Sequence, residues 1–340
     1  MKKSLIAMAV LAAAGAASAQ SSVQLYGIAD VWFGTAKVED GAGNKIYGAN
    51  ANGIKFNQTQ LTNGGVSNSR WGLKGSEDLG GGLKAIFTLE QGFNLDDGTS
   101  AGGFDREATV GVAGNFGTVK LGKQFNAFDD VSGAASTLFD SDLAPINNVF
   151  KSTAFAATEA NTVKYISPSF SGFTGAVSYS FGEDKTAVTS ANNNYALSGQ
   201  YANGPLALGI GYAVNDLVVG TGEDKATRLN GSYNFGVATL KASYGKVAYA
   251  TNHDVNEYEI GVDYPVSSNL ILSAGYAASK EDNAAGQRVG KDKSFGVAAA
   301  YLLSKRTTAY AGITTVNEKD GAGATQADGT IYAVGVKHAF

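Results

Sequence analysis

The 340-residue chain carries 45 glycines, 16 tyrosines and 17 phenylalanines, but only 4 prolines and no cysteine. Without cysteine there is no disulfide scaffold, no thiolate chemistry and no cysteine metal site, and a formal net charge of −4 has the wrong sign for a nucleic-acid partner. Many short strands joined by tight turns, an all-β class, is what this composition favours.

Residues 1–19 read as a secretory signal peptide. Lys2 and Lys3 are followed by an apolar run from Leu5 to Ala14 and by the small residues Ala17, Ser18 and Ala19. The mature chain, 20–340, is then more acidic still, because losing Lys2 and Lys3 leaves 24 basic against 30 acidic residues. No later stretch approaches the roughly 18 consecutive apolar residues of a spanning helix.

Ser22 to Gly34 alternates, with Val23, Leu25, Ala29, Val31 and Phe33 on one parity and Gln24, Tyr26, Asp30 and Trp32 on the other, as a strand with two differently solvated faces does. Thr35 to Gly65 is polar and reads as a long loop. Strands follow at Ser67–Gly75 and Leu83–Phe93, around a turn at Glu77–Gly82. The pattern then predicts strands near 104–114, 117–124, 161–168, 173–181, 194–202, 205–214, 225–234, 237–248, 255–264, 270–279, 292–302, 307–316 and 330–340, sixteen in all.

The connections alternate between tight turns such as Ala202-Asn203-Gly204 and longer polar loops at Gly182–Asn193, Asn215–Asp224, Lys280–Gly290 and Asn317–Gly329. An even strand number with short turns at one end and long loops at the other is the pattern of an antiparallel transmembrane β-barrel of an outer membrane. The faces agree: Phe173, Val177, Tyr179 and Phe181 oppose Thr174, Ala176, Ser178 and Ser180. About ten tilted residues per strand suit a hydrocarbon layer of roughly 25 to 30 Å. In the last strand Tyr332, Val334 and Val336 share a parity with the terminal Phe340, which resembles the assembly signal of bacterial outer-membrane barrels; His338 departs from it.

Ser69-Arg70-Trp71-Gly72-Leu73-Lys74-Gly75-Ser76-Glu77-Asp78-Leu79-Gly80-Gly81-Gly82, Leu89-Glu90-Gln91-Gly92-Phe93, Arg106-Glu107-Ala108-Thr109-Val110-Gly111-Val112 and Phe116-Gly117-Thr118-Val119-Lys120-Leu121-Gly122-Lys123-Gln124 follow one another in order. Together they resemble the Gram-negative general diffusion porins, in particular their beta-proteobacterial and neisserial branch. The resemblance implies a sixteen-stranded barrel, a homotrimer in outer-membrane lipid and lipopolysaccharide, and a third extracellular loop folded into the lumen as a constriction. That loop is expected at about 124–161, where the alternation stops.

In such porins basic residues on the wall face acids on the infolded loop, and opposed charges of this kind set ion selectivity without a high-affinity site. The resemblance assigns Arg70 and Arg106 to the wall and Asp129, Asp130, Asp140 and Asp142 to the loop. Parity adds Lys74, Lys120 and Lys164 to the wall. Arg70 lies opposite Trp71 and Leu73, whereas alternation does not place Arg106, whose parity holds Val110 and Val112. A basic residue common before the Asn-Thr-Val strand start is replaced here by Thr158-Glu159-Ala160, leaving Lys151 or Lys164 as substitutes.

With only His253 and His338, the chain supports neither a histidine metal cluster nor a Ser-His dyad, and no enzyme motif or cofactor signature is present. Asp96-Asp97-Gly98 and Asp320-Gly321 read as loop-tip turns. The expectation is a passive channel for ions and small hydrophilic solutes; the alternatives are a receptor or adhesin barrel and a substrate-specific channel.

Overall fold

The computed structural model describes residues 22–50, 54–132, 141–186, 191–216 and 222–340; residues 1–19, expected as a signal peptide, and Asp140 lie outside them. Among the described residues, seventeen strands form one antiparallel sheet: β1 (Ser22–Glu39), β2 (Thr59–Asn63), β3 (Arg70–Gly80), β4 (Leu83–Gly92), β5 (Glu107–Gly114), β6 (Gly117–Phe125), β7 (Thr158–Ile166), β8 (Phe173–Ser180), β9 (Asn194–Asn203), β10 (Leu206–Asp216), β11 (Glu223–Asn234), β12 (Thr239–Ala248), β13 (Asp254–Pro265), β14 (Leu270–Asp282), β15 (Arg288–Leu302), β16 (Thr307–Asp320) and β17 (Thr325–Ala339). Two short helices, α1 (Asp129–Ser132) and α2 (Pro145–Val149), and a 3-10 turn (Lys151–Phe155) lie between β6 and β7.

The sheet closes on itself because β17 pairs with β1 from Ile28↔Ala339 to Glu39↔Asp328. On its other edge β1 pairs with β3 over Ser22–Ile28 and with β2 over Val31–Thr35. β2 and β3 therefore share one position, and the barrel is sixteen-stranded. The break between them is held by Asp30, which is fully buried. Its Oδ2 accepts the backbone N–H groups of Val66 and Ser67 at 3.1 and 2.8 Å, and its Oδ1 accepts the Tyr310 hydroxyl at 2.5 Å. Closure leaves the sheet without a free end across the wall, which is what hydrocarbon demands of a backbone.

The alternation seen in the sequence becomes two faces of the wall. Leu25, Phe33, Val110, Leu121, Val177, Leu208, Ile260, Val297 and Val334 are exposed on the outside, while Ala196, Arg228, Glu257 and Thr314 are buried inside. Aromatic neighbours such as Phe173 with Tyr201 and Tyr244 with Tyr258 mark the rims.

Several boundaries differ from the sequence reading. Part of the expected loop at 35–65 is strand, since β1 runs on to Glu39 and β2 supplies its partner. The stretches expected as loops at 280–290 and 317–329 are mostly strand, leaving only 283–287 and 321–324 as connections. Above the hydrocarbon both faces of a strand are wet, so backbone pairing continues after the hydrophobic contrast that reveals it has gone. β3 likewise runs through most of the expected turn, to Gly80. The inward excursion spans 126–157, because Gln124 and Phe125 still pair with Glu159 and Thr158.

Phe340 completes the seam, its N–H donating to the Gly27 carbonyl at 3.0 Å and its carbonyl accepting the Gly27 N–H at 3.1 Å. A Cβ at Gly27 would collide with the Phe340 ring and lie 2.7 Å from the Arg70 carbonyl oxygen. Gly27→Leu is accordingly expected to cost about 1–3 kcal/mol of overpacking at the closing seam. The check is the fraction of refolded protein that migrates as a compact band on an unheated gel; an undiminished fraction would refute it.

Candidate functional site

The segment between β6 and β7 crosses the inside of the barrel and covers one part of its wall. Near its start, Ala127 and Phe128 pack with Phe155 on Ala176, Ala196, Ala213, Ala226, Val247 and Val255 of β8 to β13. Further on, Leu143, Ala144, Ile146, Val149 and Phe150 pack with Trp32, Tyr310, Ile331 and Ala333. These side chains give a nominally polar loop an apolar underside, which the small inward residues of those strands accept. The inner faces of β3 to β6 belong to neither cluster.

That uncovered sector holds the charges. On β3 the lumen parity is Arg70, Gly72 and Lys74; their partners across the β3–β4 ladder are Gly92, Glu90 and Thr88. Glu90 pairs in turn with Glu107. The Glu90 carboxylate is the meeting point: it lies 2.6 Å from Arg106 Nε and 3.6 Å from Arg70 Nε, and it accepts the Tyr26 hydroxyl at 2.9 Å. Lys120 is ion-paired with Glu107. A polar cavity of about 680 Å³ opens above, lined by Ser69, Asn94, Asp97, Asp105, Arg106 and Asp142 among others.

Arg106 resisted placement by parity because it is outside the ladder. β5 starts at Glu107, so Arg106 is a loop residue, released from the strand's alternation. Its N–H donates to the Glu90 carbonyl at 3.2 Å, and its guanidinium lies 5.1 Å from the centre of the Phe125 ring.

The remaining predicted residues have other surroundings. Lys74 is exposed toward the lumen but lies four residues from Arg70 toward the turn end, 5.0 Å over the Tyr26 ring. Lys164 is 5% exposed; its ammonium donates to the carbonyls of Phe125 and Asn126 at 3.2 and 3.1 Å and to Asp130 Oδ1 at 2.7 Å. The Lys164–Asp130 pair thus fastens the root of the excursion. Asp130 also accepts from Ser198 Oγ at 3.3 Å. Asp142 is 6% exposed and accepts the Trp32 indole N–H at 3.2 Å. Asp129, half-buried, opens α1, its N–H donating to Asn126 Oδ1 at 3.2 Å.

Neither candidate substitute for the missing basic residue reaches the arginines. Lys164 is committed to Asp130, and Lys151 Nζ lies 3.1 Å from Asp292 Oδ2 on β15. Burial works to lower the Lys151 pKa, but Asp292, with Glu318 and Glu281 behind it, holds it above the usual lysine value. Glu159 is itself sealed, accepting from Ser180 and from Asn126 Nδ2.

Sequence reasoning missed Glu90 and Glu107, although both stand within the motifs, and it missed the anchor of the excursion. Arg228 on β11 is 0% exposed. Its guanidinium lies 5.5 Å from the Phe128 ring and 5.2 Å from the Phe150 ring, and donates to Ser152 Oγ at 2.5 Å. Ser152 Oγ donates to Glu257 Oε2 at 2.5 Å, and the Lys151 and Ser152 N–H groups also donate to Glu257. An arginine and a glutamate on lumen parity were the available signal. Among the described residues no group of histidines and carboxylates is arranged to hold a metal ion. The turns at Asp97 and Asp320 are closed by their own backbone, Thr99 N–H and Ala324 N–H donating to the carboxylates.

Comparison with known proteins gives a consistent set of likenesses. A family model described as Gram-negative porin matches residues 5–321. The chain is 35% identical to outer membrane porin protein 32 of Delftia acidovorans and 32% identical to an outer membrane porin protein of Bordetella pertussis, each over all of both chains. Among solved structures it is similar to an anion-selective porin from Comamonas acidovorans, with TM-score 0.79 and 28% identity, covering 94% of this chain and 100% of that one. The trimer form of OmpT from Vibrio cholerae, 18% identical with TM-score 0.69 and covering 94% of this chain and 99% of that one, shares the fold.

Proposed function

Because the chain belongs to the Gram-negative porin family and forms a channel in the outer membrane, we propose that it passes ions and small hydrophilic solutes by passive diffusion, past a constriction between the β3–β6 wall and the infolded third loop. The observation that carries this reading is the uncovered inner wall bearing Arg70, Arg106 and Lys120, set against Glu90 and Glu107, while the loop's apolar underside packs elsewhere. Such a wall binds no solute tightly; it biases which ions enter. Lys74 belongs to the approach from the turn end. Asp129, Asp130 and Asp142 act chiefly by holding the loop, and Asp140 completes its acidic set. At Glu90 two guanidinium groups meet one carboxylate, and this cluster leans the selectivity toward anions, as the Comamonas porin's name states for that protein.

The reading includes export through the 1–19 signal, an assembly signal ending at Phe340, and a homotrimer in lipopolysaccharide-containing membrane. The trimer has a physical motive: β5 and β8 have eight residues and β6 and β7 nine, which at a tilt near 45° give about 19–21 Å, less than the roughly 25 Å apolar band of such barrels. A neighbouring subunit covers that short side better than lipid. No enzymatic step is needed.

In planar bilayers the refolded full chain is expected to give ohmic conductance in steps of three, and sugar-loaded liposomes are expected to swell. A folded protein that neither conducts nor swells liposomes would instead favour a plugged receptor or adhesin barrel.

A further inference from the structure

At the loop end of the lumen a second recess opens in the wall, and none of its lining side chains is a lysine or an arginine. Its floor is the upper inner face of β16, β17 and β1. The register sets Gly329 between Val316 and Val38, with Ile331 beside Ala36 one step below and Glu318 beside Ala327 one step above. Ile46, Ile54 and Phe56 come to it from the segment between β1 and β2, and Asn147 and Asn148 from α2 of the excursion. The space so enclosed is about 490 Å³, which falls within the roughly 300–1,000 Å³ of small-molecule sites.

The recess is built before any guest arrives. Ile46 N–H donates to the Val38 carbonyl at 2.9 Å, and the Asn57 Nδ2 group ties Val38 to Ile46 through their carbonyls at 2.6 and 2.7 Å. Ile54, 1% exposed, belongs to the cluster that seats α2. The floor leaves real space, because a Cβ at Gly329 would meet nothing nearer than Val38 Cγ2 at 3.7 Å. The polar groups at its edge share one sense. Asn147 Nδ2 donates to the Ser141 carbonyl at 3.4 Å, and Asn148 Nδ2 donates to the carbonyls of Asp142 and Ala144 at 3.2 and 3.0 Å. What each amide has left to offer is its oxygen, an acceptor. Glu318 is exposed at the rim, and two nearby cations are committed to other carboxylates, Lys151 to Asp292 at 3.1 Å and Arg288 to Asp282 at 2.6 Å. Lys319 falls on the other face of β16.

We propose that this recess is a binding subsite for a small amphipathic cation, an ammonium or guanidinium carried on an aromatic or aliphatic body. The charged head meets Glu318 and the amide oxygens of Asn147 and Asn148, while the body lies on Val316, Gly329 and Ile331 beside Ile54 and Phe56. An anion of the same shape meets a carboxylate and no lining cation. A bare ammonium gains nothing from the apolar surface. Exposed ion pairs contribute little by themselves, so most of the affinity comes from burying the body and the head decides which guest is kept. The subsite is opposite in sign to the wall at Arg70 and Arg106: the solutes that wall favours are the ones it rejects. It stands on the recess and not on conduction.

The test titrates the full-length folded protein in detergent micelles, by calorimetry against empty micelles, with tryptamine, its neutral analogue tryptophol, its anionic analogue indoleacetate, and ethylamine. Wild type is expected to bind tryptamine most tightly and tryptophol less, with indoleacetate and ethylamine weakest. E318Q is expected to weaken tryptamine about fivefold and to leave tryptophol unchanged. G329L, whose side chain occupies the recess, is expected to weaken both by about tenfold or more; V316F fills the same space from the neighbouring strand and gives the reading if G329L does not refold. E223Q removes a carboxylate from the same end of the barrel, outside the recess, and leaves both guests unchanged. Tryptamine binding that survives both filling variants, equal losses in E318Q and E223Q, or indoleacetate binding as tightly as tryptamine would each overturn the proposal. Conductance without any guest is read in parallel: a wild-type protein that binds tryptamine in this pattern and does not conduct overturns the channel reading and upholds the subsite.

Discussion

Under a salt gradient, the R70A/R106A double variant is expected to move the zero-current potential toward cations by more than the sum of the single substitutions. Both arginines meet at Glu90. Removing Arg70 alone leaves Arg106 hydrogen-bonded to that carboxylate at 2.6 Å, and a charge-assisted bond of this kind contributes about 1.5–3 kcal/mol, so Glu90 stays neutralised and the shift is small. Removing both leaves the lumen with an unscreened carboxylate where it had a net positive cluster. A shift on the order of 10 mV or more is expected for a tenfold gradient, in which a perfectly selective pore reads about 59 mV. E90Q carries the opposite sign, releasing two guanidinium groups from their carboxylate and increasing anion preference. Raising the salt toward 1 M, where the Debye length falls to about 3 Å, should largely erase these differences. An R70A/R106A channel with wild-type reversal potential would place both arginines off the permeation path.

The largest effect on structure is expected from E257A. Glu257 accepts from the Lys151 and Ser152 N–H groups and from Ser152 Oγ, and Ser152 in turn receives Arg228. Deleting the carboxylate strands the buried Ser152 N–H donor and the part-buried Lys151 N–H donor and removes the nearest anion relayed to the fully buried Arg228, a class of change that costs about 3–5 kcal/mol. That cost falls on the seat of the excursion rather than on the barrel, whose ladders do not pass through Ser152. The expected result is a barrel that still resists unfolding but is cut by protease within 126–157, with noisier and larger single-channel steps. R228M/E257Q, which removes both charges while keeping much of the volume, should lose less than the two single deletions together. Unchanged protease resistance and quiet wild-type steps in E257A would show that the cluster does not hold the loop.

The way the fold was legible follows from what a membrane does to a strand. Where hydrocarbon lies on one side and water on the other, the side chains must alternate, so Phe173 to Phe181 or Tyr332 to Phe340 disclose both strand and face. Outside that layer the constraint lapses. The pairing of Lys280 with Lys291, and of β2 with the upper half of β1, left no hydrophobic trace. Arg70 was placed by parity because it sits on the ladder; Arg106 was beyond that reasoning because it precedes its strand.

The class of protein, its sixteen-strand count, the outward and inward faces within the membrane, and the position of the interruption could all be read from the chain, because each depends on residue type at fixed local spacing. What the interruption does to the lumen could not. Whether Asp130 faces a solute or Lys164, whether Asp142 meets an anion path or Trp32, and that two arginines share Glu90, depend on contacts between residues from 16 to 110 positions apart. Such contacts are set by how the loop's apolar underside seats on β8 to β13 and around Trp32 and Tyr310 and, for the arginines, by which residues neighbouring strands bring beside Glu90, and no local period records either.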